Sequence, residues 1–479
     1  MDRMQVFSHH ELTLIHDASM DILEKTGVDF NNDTAAGIFR KKGFKTEGTK
    51  VYFKEKDIRQ ALETTVSRFR VHARNPKFSV DIGEGDFVFT PTGGAPNIAG
   101  IDGRQRPATL SDFRNCCKLV QTSDQLDMGG YIMVQPNDIP PATAHLDMMA
   151  SYIDLCEKPM LGATSSGPAA LDTIEMAGIL FGGRDKLENL PVMTSVVNVM
   201  SPLQYSSEQS DVIMTMASFR QPFVIADMIL AGASGPVSLP SLLALGNAEI
   251  LAGIALCQLV SPGAPVIYGS TSAPMDMKTM VSAVGAVETV KIASATIQLA
   301  RFYHLPSRAG GSLTDAHIAD AQSLAEGVLM LSTVVRNGVS CVYHACGQMG
   351  SYISMSFEKW LMDEEICRMV RQMVLPMQIT KDTLDVDIVN EIGIGGQYLT
   401  HPKTFQQFRT LSQPRLFNRK DFSRWQAEGS KRVDQAASEK LAARLAGYQK
   451  PIMDQGIEQA LNDYVQRRKE SRTYNPSVR

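Results

Sequence analysis

Eight apolar segments constrain this chain more than anything else in it. They cover residues 87–97, 126–136, 158–167, 190–202, 221–236, 263–274, 305–312 and 339–347. Each closes on a turn rich in Gly, Ser, Thr or Pro, and each is followed by a helical stretch. Continuous apolar strands alternating with helices describe a parallel sheet buried on both faces. A doubly wound open sheet shows the same alternation but requires no count of eight. Eight units in about 260 residues match a TIM (β/α)8 barrel. The expected fold is therefore α/β: a barrel over 87–380, an N-terminal α+β region over 1–86 and a C-terminal helical extension over 381–479. The sharpest βα unit is LPSRAGGSLTDAH at 305–317, which leads through a helix of about six turns to NGVSCVYHACG at 337–347.

The flanking regions read less regularly. Ser8 with Glu11 predicts a capped amphipathic helix over 8–27, and FRVHARN and FSVDIG alternate like paired strands. After residue 350 a helix runs from Phe357 to about Val374, and a charged amphipathic segment closes the chain. Net charge is −4, with no long basic run except Arg467-Arg468-Lys469, read as a frayed tail. Nucleic-acid binding has no support in that balance. No uninterrupted apolar run reaches the ~18 residues of a membrane span, and no apolar signal core stands near the N-terminus. Seven cysteines without a CxxC pair suit a reducing compartment, so a cytoplasmic location is expected, with no membrane partner.

A barrel enzyme carries its chemistry on the loops after its strands, so Gly93, Thr164, Ser270, Gly311 and His344 are expected at one rim. The polar cluster Arg308, Ser312, Asp315, His344 and Gln348 belongs to the seventh and eighth units. Either Arg308 or His344 can grip a carboxylate. Asp227, at the end of the fifth strand, either faces a ligand or is a buried hydrogen-bonded acid. Asp315 either meets a ligand or, with Ser312, caps the helix that follows. Tyr268, Tyr343 and Tyr352 are candidate aromatic walls for a cation. Cys341, His344 and Cys346 raise a zinc alternative. On a strand, however, Cys341 and His344 point to opposite faces, and a zinc site needs at least three protein ligands. No metal site is expected.

As a set, DILEKTGVDF (21–30), HARNP (72–76), TGGAPN (92–97), HLDMM (145–149), AEILAGIALCQLVSPGAPVIYGS (248–270), AGGSLTDAH (309–317), FEKWLMDEEI (357–366) and LFNRKDFSRWQAEG (416–429) resemble the trimethylamine:corrinoid methyltransferase superfamily over nearly the whole chain. That resemblance implies a TIM barrel that moves a methyl group from a methylated amine to the Co(I) of a separate corrinoid protein. Archaeal trimethylamine enzymes of the superfamily carry pyrrolysine in a Gly-Ser-X-Ser-Asp-Ala context. Here that context is Gly311-Ser312-Leu313-Thr314-Asp315-Ala316, with Leu313 in the pyrrolysine position. The departure implies the branch acting on quaternary amines, with glycine betaine or proline betaine as the first expectation. His344, Leu313 and Asp227 are then expected at the reacting end. Arg308, Gly311, Ser312, Asp315, Tyr268, Tyr343, Gln348 and Tyr352 are expected around the substrate. No tightly bound cofactor is expected: the chain has no Asp-x-His-x-x-Gly cobalt-ligand segment, so the cobalamin comes with the corrinoid partner. Self-association into a homo-oligomer is compatible with the sequence. The alternatives are a betaine-binding barrel without catalysis, a zinc-dependent methyltransferase and a different barrel enzyme.

Overall fold

The computed structural model describes residues 4–473 as an α/β fold. Residues 1–3 and 474–479, the outer ends of the expected terminal regions, lie outside the described residues. At the centre is an all-parallel six-stranded sheet. Its order is Val196–Asn198, Phe223–Asp227, Val266–Ser270, Ser307–Gly310, Cys341–Tyr343 and Val88–Phe89. A second parallel sheet holds Gly129–Gly130, Met160–Leu161 and Met193–Thr194. The chain passes from one sheet to the other through 193–198. At the opposite edges scattered hydrogen bonds rather than a ladder join them: the Asp127 amide donates to the Phe89 carbonyl at 2.9 Å, the Phe89 amide to Asp127 Oδ2 at 2.7 Å, the Gly94 amide to the Ile132 carbonyl at 2.7 Å and the Gln135 amide to the Ala95 carbonyl at 2.9 Å. Strand pairing alone therefore gives two open sheets, where the sequence pattern leads to one closed ladder. The ladders of the second sheet are short: Met160–Leu161 pairs over only two residues with Gly129–Gly130 on one side and with Met193–Thr194 on the other.

Side-chain alternation sorts the strands into two layers. Val224, Ala226, Ile267, Cys341 and Tyr343 join an inner apolar cluster with Val88, Met128 and Leu161. Phe223, Ile225, Tyr268, Ala309 and Val342 join the outer core beneath the helices. This is the period-two alternation of a strand buried on both faces. The antiparallel hairpin Arg68–Val71 and Val80–Gly83, expected from its alternation, adds Val71 and Ile82 to the inner cluster. It sits at the strands' N-terminal ends, where Ser340 Oγ donates to the Gly83 carbonyl at 3.2 Å.

Leu239–Val260 is long and apolar enough to cross a membrane by length and composition, but 89% of its apolar window is buried inside the protein, so it is a core helix. Two expectations need correction. The helix after the seventh strand starts at Ala321, capped by Asp320 rather than by Ser312 and Asp315, because 311–320 forms a loop. The basic run is not frayed: within the Gln455–Thr473 helix, Arg468 meets Asp172 and Lys469 meets Asp147, each at 2.6 Å.

One buried ion pair ties the last two βα loops together. Lys359 Nζ lies 2.7 Å from Asp363 Oδ2, with both side chains fully buried in the Phe357–Val374 helix. Lys359 also donates to the Ser312 carbonyl and hydroxyl, while Asp363 accepts from Ser312 Oγ and the Gly347 amide. Removing one partner of a buried pair strands the other charge, at a cost of about 3–5 kcal/mol. Lys359→Met should therefore lower the chemical unfolding free energy by that order, and Lys359→Met with Asp363→Leu should recover part of it. Equal losses in the single and double variants would show that the pair is not coupled.

Candidate functional site

The strands' C-terminal ends surround a cavity of about 290 Å³. Arg308 forms part of its lining and is 1% exposed. Its place follows from the sequence: Arg308 pairs with Gly269 and Cys341 and points into the inner layer. A Cβ at Gly269 would lie 2.6 Å from Val224 Cγ1 and 3.2 Å from Arg308 Cβ, so only glycine there leaves room. The guanidinium donates to the Ser270 carbonyl at 2.6 Å and lies 5.0 Å from the Tyr343 ring centroid. Among the described residues its Nε has no partner, and no Asp or Glu lines the cavity. Burial pulls Arg308 below its ordinary pKa. Among the described residues this charge lacks an ion-pair partner, which is costly unless a ligand anion completes it.

His344 follows its strand with φ +59°, a left-handed turn that brings a side chain otherwise bound for the outer layer back toward the cavity. Arg308 Nη2 donates to His344 Nδ1 at 3.4 Å. Burial, and then the charge of Arg308, hold His344 well below its ordinary pKa of 6.5. The neutral ring therefore keeps its proton on Nε2. That atom faces Gly93, where an added Cβ would lie 3.0 Å away. Tyr352 meets the His344 ring at 5.1 Å and 60°. Tyr343 shares a 3.0 Å hydrogen bond with Thr194.

Of the residues expected at the site, Arg308, Tyr343, His344 and Tyr352 line the cavity. The others do not. Tyr268 falls on the outer face of its strand, and its hydroxyl donates to Asn247 at 2.9 Å. Asp227 also faces outward: it packs against Gly246 of the core helix and accepts from Ser272 at 2.9 Å, and burial raises its pKa to about 6. Ser312 turns to Asp363. Asp315 joins loops, accepting from the Val284 and Gly285 amides and from Ser351 Oγ at 2.6 Å. Gln348 accepts from Thr92 Oγ1 at 2.6 Å and braces the first loop. Gly311 lets its loop lie against Ala345 and Val342. Leu313 is buried with Ala273 and Val284, behind Tyr352 rather than in the cavity. Cys341 lies in the inner cluster, whereas Cys346 lies 3.9 Å from the Cys367 sulfur, so Cys341, His344 and Cys346 do not converge. Among the described residues no group of three His, Cys, Asp or Glu side chains is placed to share a metal.

The sequence reading missed Tyr131, Asn198, Met228 and Thr271, which also line the wall. Each lies within one of the eight segments, at or just past its strand, so segment position was the available signal. Of the five residues expected at one rim, Gly93, Thr164 and His344 line the cavity, and Ser270 touches Arg308. Chemically, the cavity is a small aromatic and hydroxyl-lined space with one fixed positive charge. It suits a ligand carrying an anionic group and an apolar or cationic end.

Comparison with known proteins gives consistent results. The family model described as trimethylamine methyltransferase (MTTB) matches residues 1–473. A glycine betaine methyltransferase of Desulfitobacterium hafniense (strain Y51) is 36% identical over 469 residues, covering 98% of each chain. An L-carnitine:corrinoid methyltransferase of Eubacterium limosum is 30% identical, covering 93% of each. The crystal structure of the Methanosarcina barkeri monomethylamine methyltransferase (MtmB) matches with a TM-score of 0.53 at 12% identity, over 92% of this chain and 88% of that one, a likeness of fold.

The neutral His344 has a testable consequence. Below pH 6.5 an unfolded chain protonates this imidazole while the folded protein refuses the proton, so its contribution to stability falls as pH drops. Asp227 acts in the opposite sense: between about 6 and 3.8 the folded protein takes up a proton that the unfolded chain does not. The two separate by substitution. Relative to His344→Gln, the parent should lose up to about 1.4 kcal/mol of unfolding free energy per pH unit below 6.5. Parallel pH profiles for the two proteins would mean that His344 titrates normally.

Proposed function

Because the chain belongs to the trimethylamine methyltransferase (MTTB) family, we propose that it moves a methyl group from a small quaternary amine bearing a carboxylate to the Co(I) of a separate corrinoid protein. Glycine betaine and proline betaine are the preferred donors. One observation carries the substrate reading: the cavity holds the buried guanidinium of Arg308 and no acid. A purely cationic amine meets net repulsion there. A zwitterion places its carboxylate on Arg308 and its ammonium among Tyr131, Tyr352 and the neutral His344. His344 acts as a positioning residue, accepting from Arg308 while its Nε2–H stays on the ligand side.

In this reading the eight segments form the (β/α)8 barrel of residues 87–380, with the hydrogen bonds between 89 and 127 and between 94–95 and 132–135 as its seam. Residues 1–86 and 381–479 are additions. The MtmB likeness supports this architecture. A corrin ring is far larger than a cavity of about 290 Å³, so the residues present fit it as a cap over the mouth, presented by the partner.

The corrinoid supplies the nucleophile, Co(I). The chain's own residues bind and orient. Arg308 fixes the carboxylate, which aims one N-methyl at the mouth. A quaternary nitrogen has no lone pair, and the amine leaves neutral, so no general acid is needed at nitrogen. The ammonium loses its charge as the methyl leaves, so neutral walls that shed water favour the step. Leu313, behind Tyr352, supplies apolar backing and no donor or acceptor.

Two outcomes test the reading. With the cognate corrinoid protein as acceptor, glycine betaine or proline betaine should be demethylated and trimethylamine should not. In Arg308→Gln, loss of a charge-assisted hydrogen bond, worth roughly 1.5–3 kcal/mol, should raise KM for the betaine about 10- to 150-fold. Preference for trimethylamine would end the substrate reading. An unchanged KM in Arg308→Gln would remove the carboxylate from Arg308.

A further inference from the structure

The fifth and sixth strands end side by side at Asp227 and Ser270, which pair in register. The Asp227 side chain lies outside the cavity, buried against the core helix Leu239–Val260. That helix makes room for it: a Cβ at Gly246 would lie 1.8 Å from Asp227 Oδ2. Carbonyl and carboxylate of Asp227 both hold the turn that follows the sixth strand. The carbonyl accepts from the Thr271 amide at 2.9 Å and from Thr271 Oγ1 at 2.8 Å. The carboxylate accepts from the Ser270 side chain and from Ser272 Oγ, the latter at 2.9 Å. The same turn faces the ligand: Thr271 lines the cavity, and the Ser270 carbonyl anchors Arg308 Nη1 at 2.6 Å. We propose that Asp227, in its ionised form, is a positioning residue for the substrate: it sets the 270–272 turn and, through the Ser270 carbonyl, aims Arg308 at the ligand carboxylate. The ligand carboxylate on Arg308 is taken from the proposed function, and the rest stands on hydrogen bonds within the chain.

The balance of donors and acceptors selects the ionised form. Ser272 Oγ receives the Ile229 amide at 2.8 Å, and Ser270 Oγ receives the Ser272 amide at 3.1 Å. Each hydroxyl keeps one hydrogen to give, and Asp227 is its acceptor. A carboxylate offers acceptors only. A carboxylic acid or an amide brings a further hydrogen into a site already supplied with donors, so one serine loses its acceptor and the turn shifts. Burial opposes the charge and raises Asp227 to about 6, while the serine hydrogen bonds and the charge of Arg308 limit the rise. The other groups around it keep their state between pH 7 and 5.5. Glu249, on the core helix, is raised by burial to about 8. Tyr205, after the fourth strand, and Tyr268, on the sixth, are held by burial well above their ordinary values. Arg308, on the seventh strand, stays cationic, and His344 stays neutral.

The test is calorimetric binding of glycine betaine and of proline betaine to the full chain, with no corrinoid protein present. If only the ionised form holds Arg308 in place, the parent's Kd should rise about fourfold from pH 7 to pH 5.5, following the ionised fraction of a group at about 6. Asp227→Asn carries the extra hydrogen at every pH. It should bind at least about fourfold more weakly than the parent at pH 7 and show no slope with pH. Ser272→Ala removes one hydrogen bond to the carboxylate and should move the midpoint of the profile upward. These two readouts separate positioning from a merely structural role, which would change stability and not the pH profile of binding. A parent Kd that is flat from pH 7 to 5.5, or a slope that survives in Asp227→Asn, would overturn the role of Asp227 and leave the betaine reading standing. So would a midpoint unmoved in Ser272→Ala. Tighter binding at the lower pH would overturn it too, since Asp227 would then act on Arg308 through charge alone. A parent that binds neither betaine at pH 7 would end the substrate reading and the role of Asp227 with it.

Discussion

The candidate site depends on one buried positive charge without a counter-ion among the described residues. A guanidinium that is 1% exposed retains its charge only if hydrogen bonds and, finally, an anion replace the lost water. The Ser270 carbonyl, the Tyr343 face and His344 supply part of this. The nearby acids are all committed elsewhere. Asp227 accepts from Ser272 on the helix side, Asp315 bonds loop amides, and Asp363 is neutralised by Lys359. With those acids turned outward or paired, Arg308 is the charged side chain that faces the cavity among the described residues.

The same outward-facing acids make the rim rigid. Asp363 holds Ser312 in the seventh loop and Gly347 in the eighth. Asp315 links the seventh loop to residues 284–285 and to Ser351. Gln348 joins the eighth loop to Thr92 in the first. A ligand carboxylate on Arg308 is therefore fixed relative to several loops at once, which is what aiming one methyl at an external acceptor requires. Polar residues read from the sequence as ligand contacts became the frame that places the contacts.

How far the site was legible varies by residue. Arg308 and Tyr343 were readable because both sit on inner-layer strand positions within apolar segments. Tyr268 and Asp227 sit one residue out of phase with the inward Ile267 and Ala226, and strict alternation would have sent both to the helices. His344 breaks the alternation in the other direction, because its positive φ turns it inward. No period in a sequence reports a single left-handed residue that is not glycine. Asn198 and Thr271 were ordinary small polar residues at segment ends, and nothing about their type separated them from turn formers, whereas Thr164 was expected at the rim from its segment position.

The sequence by itself determined the α/β class, the count and order of the βα units and the face on which a site had to lie. These follow from local facts: apolar segments must be buried, their lengths suit strands or helices, and parallel strands end together on one side. Tertiary structure alone decided which polar side chain faces the ligand. That choice turns on pairings distant in sequence, such as Asp363 with Ser312, Asp315 with residue 284 and Arg308 with the carbonyl of Ser270. A buried polar group goes to whichever partner satisfies it at hydrogen-bond distance, and that partner is known only once the strands have met.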